Sequence, residues 1–233
     1  MPKTRVAANR LLETLPKRER RLLAAEWESV DLVRGDVLGR PMEPLDRVYF
    51  PTAGFVSLVL TIDRSARLEV GMVGDEGAYG VPLALGVPVS SVQAVVQGAG
   101  SALCVNAASF TRQIARSESF ARVMYRYVFV QLRQLAQLAA CANFHVVEAR
   151  LARWLLMTQD RAHDRAFCLT HVQLGWMLGV RRVGITNAAG ALQKRGLIRY
   201  KRGNIEVLDR RGLMSVSCSC YDADREMYAR IFN

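Results

Sequence analysis

The sequence contains no run of about 18 consecutive apolar residues, the length a membrane-spanning helix needs, although 51% of its 233 residues are hydrophobic. That apolar share supports a packed core and excludes wholesale disorder. Cysteine is sparse. Cys104, Cys141, Cys168, Cys218 and Cys220 are scattered and odd in number, and no CxxC occurs, which argues against a disulfide framework. Cys218 and Cys220 form a CxC pair with no matching second pair, a pattern that favours buried or incidental thiols over a zinc site. Met1 to Glu28 mixes charged residues with Leu and Ala and lacks the apolar segment and small-residue cleavage site of a secretory signal. The expected location is the cytoplasm, with no membrane partner. There is no matched nucleophile and base, no HxH set and no phosphate-cradling glycine loop, so an enzyme is not expected, nor a cofactor or metal. The lone acidic pair Asp75 and Glu76, in a glycine-rich turn, reads as surface turn chemistry.

Positive charge is abundant and concentrated. The formal net charge is +11, from 32 basic and 21 acidic residues. His145 to Asn233 holds 15 Lys and Arg against 8 Asp and Glu, and Arg181 to Arg211 alone holds 9 against 2. The C-terminal third is thus near neutral outside that stretch. A basic face so localised is an electrostatic footprint for nucleic acid.

The texture along the chain changes three times. Asn9 to Val30 has apolar residues near helical spacing, divided by Pro16. From Asp31, closely spaced Gly and Pro punctuate short runs rich in Val, Leu and Phe: Arg47 to Phe50, Phe55 to Leu60, Leu68 to Met72, Val92 to Val96 and Ser101 to Val105. This pattern predicts an all-β sandwich or barrel. Ser109 to Ser117 reads as a helix, and a long helix follows over about Ser119 to Asn143 without Gly or Pro. Met124, Val128, Leu132, Leu135, Leu138 and Ala142 form a stripe of about 3.5-residue period on it, which predicts a seam with the same helix of a second subunit. Val146 to Thr158 is a further amphipathic helix, and Arg161 to Arg165 a polar loop.

Leu169 to Ile198 carries the chemistry. Thr170 and Gln173 form a T-x-x-Q capping box. Leu174, Met177 and Leu178 give the helix it opens an apolar face, and Gly179 ends it. A second helix runs from about Arg182 to Arg195, with Ile185, Ala188, Ala189 and Leu192 inward, and Gly196 stops it. Two short helices joined by a glycine turn make a helix-turn-helix. Arg181, Arg182, Thr186, Asn187, Lys194 and Arg195 fall on or near the outward face, where Arg pairs with guanine and Asn with adenine in the major groove. Leu197 to Val207 reads as a hairpin turning at Arg202 to Asn204. Lys201 and Arg202 on this wing suit phosphate. Thr170 and His171, at the start of the first helix, are further DNA-contact candidates, His171 either as a phosphate contact or as a satisfied surface histidine.

A barrel, a long helix and a winged helix-turn-helix in that order resemble the Crp/Fnr regulators of bacterial transcription, most strongly at Met177 to Arg182 and Leu192 to Tyr200. The tail, Asp209 to Leu213 and then Cys218 to Tyr221, resembles an extension found in some members. The resemblance implies an α+β fold: an N-terminal β-roll or jelly-roll sensor domain (1–117), a long dimerisation helix (118–144) and a C-terminal winged helix-turn-helix domain (145–233). It implies a homodimer on a pseudo-palindromic site in double-stranded DNA, and allows RNA polymerase as a further partner. Members that bind cyclic nucleotides hold the ribose with a Gly-Glu pair and the phosphate with an Arg-Ser/Thr-Ala triplet. Here no Glu follows Gly80, no Arg precedes Ala94, and no Lys or Arg occurs from Glu76 to Gly100. Leu135 and Ala136 stand where those members offer hydroxyls to the base. Cyclic AMP and cyclic GMP are therefore not the expected effectors, and the effector stays unidentified. The first cysteine is Cys104, against the N-terminal cluster of iron–sulfur members, and His145, His163 and His171 all follow the barrel that would need one to hold haem. Val183 and Asn187 replace a Glu and an Arg common on the family's recognition helix, so the half-site read should differ. The alternative is a redox- or metal-responsive sensor acting through Cys218 and Cys220.

Overall fold

The computed structural model describes residues 8–62, 66–164 and 166–232. The chain divides into an N-terminal unit, residues up to 58 with 71–131, and a C-terminal unit, residues 59–70 with 132–231. Among the described residues no helix is long and apolar enough to cross a membrane.

In the N-terminal unit, Asn9 caps α1 (Arg10–Glu13). Its side-chain oxygen accepts from the Leu12 N–H at 3.1 Å, and its amide donates to the Pro51 and Gly77 carbonyls at 2.9 Å each. One buried side chain thus satisfies a helix end and ties it to the sheet. Pro16 separates α1 from α2 (Lys17–Ala24). The helical reading does not extend to Val30: Glu28–Leu32 is strand β1. Trp27 redirects the chain, because its ring stacks on Phe50 at 4.9 Å and its N–H reaches Gln113 at 3.0 Å. Tertiary packing here overrides local spacing.

The remaining strands are β2 (Val37–Gly39), β3 (Arg47–Ile62), β4 (Ala66–Val73) and β5 (Gln93–Asn106). The sheet order is β1-β5-β3-β4, with β2 also on β5. β1 runs antiparallel to β5, with Glu28 opposite Cys104 and Leu32 opposite Gly100. The strands are fewer and longer than the punctuation suggests. Gly54 bends β3 without ending it, at φ +74 and so close to the Gly98 and Ala99 carbonyls that a Cβ would collide. The Asp75–Glu76 pair is not surface chemistry. Both residues are buried; Arg10 donates through its guanidinium to Asp75 at 2.8–2.9 Å and through its backbone to the Asp75 carbonyl at 2.6 Å.

α3 (Ala107–Arg116) is capped by Asn106, whose side chain accepts from Ser109 at 2.8 Å. α4 follows over Glu118–Phe144. Phe120, Val123, Met124, Tyr127 and Val130 are buried on its inner face. Met124, at 0% exposure, belongs to the core of its own chain and is not part of a seam. The first turns of α4 roof the N-terminal core, so the apolar stripe there points inward. The outer face carries Tyr125, Phe129 (53% exposed), Leu132 (61%) and Leu135, with Ala142 exposed and Val128 and Leu138 half-buried. Tyr125 and Phe129 are the aromatic members of that face that the stripe reading omits.

The C-terminal unit comprises α5 (Val147–Ala162), β6 (Ala166–Cys168), α6 (His171–Leu178), α7 (Arg182–Lys194), β7 (Ile198–Lys201), β8 (Asn204–Val207), α8 (Arg210–Val216) and α9 (Cys220–Phe232). α5 runs a turn longer than its apolar pattern indicates. Arg161 is a buried helical residue donating to the Met157 carbonyl at 3.0 Å, not part of a polar loop, and Arg165 lies outside the described residues. The core joins Leu151, Leu155 and Leu156 of α5 with Leu174 of α6, Ile185 and Leu192 of α7 and Leu213 of α8. Arg153 binds Asp224 of α9 at 2.6 Å, both side chains nearly closed to solvent. Burial is the largest influence on each; it raises the Asp224 carboxyl, against the pull of Arg153.

Candidate nucleic-acid interface

The first helix of the motif starts where its capping box indicates. The Thr170 hydroxyl accepts from the Gln173 N–H at 3.2 Å, and the Gln173 side chain accepts from the Thr170 N–H at 2.9 Å. Gly179 ends α6 at φ +62. Within the crossing, a Cβ on Gly175 would lie 2.9 Å from the Val180 carbonyl, so this position admits only glycine without a shift. That close approach fixes the angle at which α7 leaves α6. Arg181 is the N-cap of α7 and makes no side-chain cap, which leaves its guanidinium outside the helix.

Ile185, Ala188, Ala189 and Leu192 are buried beneath α7, while Arg181, Arg182, Val183, Thr186, Asn187 and Lys194 are exposed. The wing is the antiparallel pair β7–β8, with Lys201 opposite Asn204. Its two-residue turn, Arg202 and Gly203, has φ +49 and +85, the paired positive values of a type I′ turn. A third strand, β6, pairs with β8, so the wing is braced as a three-stranded sheet.

The cations of this unit sort into two groups. Arg195 pairs with Glu148 at 3.2 Å, Arg199 with Glu206 at 2.7 Å and Arg210 with Asp160 at 2.6 Å. Arg181, Arg182, Lys194, Lys201 and Arg202 are exposed, and among the described residues none has a carboxylate within ion-pair distance. Of the cations read from the sequence on the outward face and the wing, Arg195 alone falls in the paired set.

His171 has a different position from the one its place at the helix start suggests. Its Nδ1 lies 3.0 Å from the Thr186 hydroxyl, its ring stacks on Tyr200, and its Nε2 is buried without a partner. No ring nitrogen is presented to a phosphate. His171 instead links α6, α7 and the wing. Burial, and then Arg182, lower its pKa from the usual value. Tyr200 completes the link, its hydroxyl donating to the Leu169 carbonyl at 3.1 Å and its N–H to Gln193 at 2.7 Å.

A second constellation lies in the same unit. Cys141 in the last turn of α4, His145 just beyond it, Cys218 before α9 and Cys220 at its start bring their ligand atoms within 4.8 Å of one another. The sequence reading saw only Cys218 and Cys220. The missing signal was the four-residue spacing of Cys141 and His145 at a helix end. The Cys141 and Cys218 sulfurs are 3.5 Å apart, as are Cys220 Sγ and His145 Nδ1. The Cys218 thiol, followed by His145, pulls Cys141 down to about 5 against the opposing effect of burial. Cys218 is pushed up, by Cys141 first and then by burial.

Residues 149–216 match the family of Crp-like helix-turn-helix domains. The C-terminal unit thus contains a Crp-like helix-turn-helix domain, and the chain shares its fold with solved Crp/Fnr-family proteins. It is similar to FixK2 of Bradyrhizobium japonicum at 17% identity and a TM-score of 0.69, covering 83% of this chain and 98% of that one. A Crp/Fnr-family transcriptional regulator of Thermus thermophilus gives 21% identity and a TM-score of 0.67, over 82% and 98%. The c-di-GMP-responsive global regulator CLP of Xanthomonas campestris gives 15% and 0.66, over 82% and 99%. No curated protein matches the sequence.

Proposed function

We propose that this chain is a homodimeric, sequence-specific DNA-binding transcription regulator working in the cytoplasm. Residues 1–117 sense, 118–144 dimerise and 145–233 read DNA. The observation that carries this reading is the set of exposed, carboxylate-free cations on α7 and the wing, set on a Crp-like helix-turn-helix. Arg181, Arg182, Thr186 and Asn187 address base edges from the N-terminal half of α7, whereas Lys194, Lys201, Arg202 and the start of α6 at Thr170 address phosphate. His171 acts by holding Thr186 and the wing. The exposed apolar face of Tyr125, Phe129, Leu132 and Leu135 on α4 supports pairing with a second copy. RNA polymerase is a further partner that this reading allows.

The effector is neither cyclic AMP nor cyclic GMP. After Gly80 the chain forms a short 3-10 helix, Val81–Leu85, that buries Val81, Leu83 and Ala84, and no cation occurs from Glu76 to Gly100. A cyclic phosphate enclosed there would lack a charged donor, an unfavourable burial. Selection of duplexes from a randomised pool tests the main claim. Enrichment of a two-fold symmetric site supports it; recovery of unrelated duplexes, with no enriched motif, refutes it.

A further inference from the structure

We propose that Cys141, His145, Cys218 and Cys220 form a Cys3His site for one divalent ion of the borderline-soft kind, Zn²⁺ being the best fit. The donor set is complete: three sulfurs and one imidazole nitrogen, with all four ligand atoms inside a 4.8 Å sphere of mutual distances. Zinc bonds of about 2.3 Å to sulfur and about 2.0–2.1 Å to nitrogen put the edges of a tetrahedral site at roughly 3.5–3.8 Å. The Cys141–Cys218 and Cys220–His145 separations are both 3.5 Å. Two of the six edges thus already have tetrahedral length, and the others are no longer than 4.8 Å.

The surroundings fit such a site. All three cysteines are buried and cluster together with Ala149 packed on them. Gln137, one turn before Cys141 on α4, donates its amide N–H to Cys220 Sγ at 2.9 Å, the outer-shell contact that orients a thiolate ligand. The Arg153 guanidinium lies within electrostatic range of Cys141 and Cys218, and its positive charge offsets part of the excess negative charge of three thiolates on a divalent ion. Four protein ligands leave no open position, which makes the site structural and not catalytic. Oxygen-preferring ions such as Mg²⁺ and Ca²⁺ find no carboxylate or carbonyl donor in the set.

The site would join two places far apart in sequence: the end of α4 with its connection into α5, and the start of α9. Metal would thereby brace the helices under the Crp-like domain, independently of whether that domain reads DNA. Binding would release thiol protons, and the ion would leave with a chelator.

The full-length protein, stripped of metal under reducing conditions, is titrated with Co²⁺ and then Zn²⁺, and metal content is measured after desalting. One ion per chain is expected, with the intense sulfur-to-cobalt absorption and the visible bands of a tetrahedral centre, bleached by Zn²⁺. Cys218→Ser with Cys220→Ser should abolish the spectrum, and Gln137→Leu should weaken binding roughly 10–100-fold. Cys104→Ser with Cys168→Ser should change neither. Absence of the thiolate absorption in the wild-type protein overturns the proposal, whatever the variants do. So does metal retention by the Cys218/Cys220 variant, or a metal-free native protein lighter by two hydrogens through a Cys141–Cys218 disulfide.

Discussion

The His171 imidazole lies on the Tyr200 ring, centroids 4.3 Å apart and planes 21° apart, while its Nδ1 meets the Thr186 hydroxyl at 3.0 Å. One side chain at the start of α6 therefore fixes both the outward face of α7 and the base of the wing. Loss of an aromatic pair of this kind costs about 0.5–1.5 kcal/mol beyond area burial. His171→Ala should lower the unfolding free energy by at least that amount and weaken binding to the selected duplex, since it frees both Thr186 and the wing. Unchanged stability and unchanged affinity would contradict the positional role.

The same histidine sets a pH dependence. Burial and then Arg182 lower its pKa in the folded protein below the ordinary 6.5. The folded state thus binds the proton less readily than the unfolded chain. Its contribution to stability is intact above about pH 6.5 and declines as the pH falls below that value. Denaturant unfolding of wild type and His171→Gln at about pH 7.5 and about pH 5.5 isolates this effect. The wild type should lose more stability on acidification than the variant; equal losses would refute the assignment.

Arg153 and Asp224 form a buried pair at 2.6 Å. Asp224→Ala leaves a guanidinium enclosed without its partner, which should cost about 3–5 kcal/mol. Replacing both residues with apolar ones should recover much of that loss, as measured by a double-mutant cycle in urea. Additive losses would show that the pair is not coupled.

The outer face of α4 should decide the oligomeric state. Phe129→Glu with Leu132→Glu places charge on exposed apolar positions that do not enter the chain's own core. Sedimentation analysis should show a dimer for wild type and a monomer for the variant, with unchanged far-ultraviolet circular dichroism. Met124→Ala should instead destabilise the subunit itself, by about 2–5 kcal/mol. A dimer that survives the double glutamate change rules out this face as the seam.

Local signals in the sequence located the motif well. The capping box at Thr170 and Gln173, the stop at Gly179 and the hairpin turn at Arg202 act within a few residues, so adjacent chemistry reveals them. Features that depend on distant partners were less legible. The inward turn of Phe120 on α4 depends on an aromatic cluster with Trp27, Phe50 and Phe110, and buried Asp75 is met by Arg10 from the N-terminal helix. The cysteine cluster needed Cys141 and Cys218, 77 positions apart, to meet. Periodicity indicates that a helix has an apolar face, but not whether its own chain or another covers it.

The most direct test is the affinity of the protein for its selected duplex relative to a scrambled duplex of equal length, measured by fluorescence anisotropy at one fixed salt concentration. A sequence-specific regulator should prefer its site by about 10³-fold or more. Arg182→Ala should remove about 1–3 kcal/mol of that preference, whereas Lys201→Ala should weaken both duplexes equally and flatten the salt dependence. Equal affinity of the wild-type protein for the two duplexes would contradict the account.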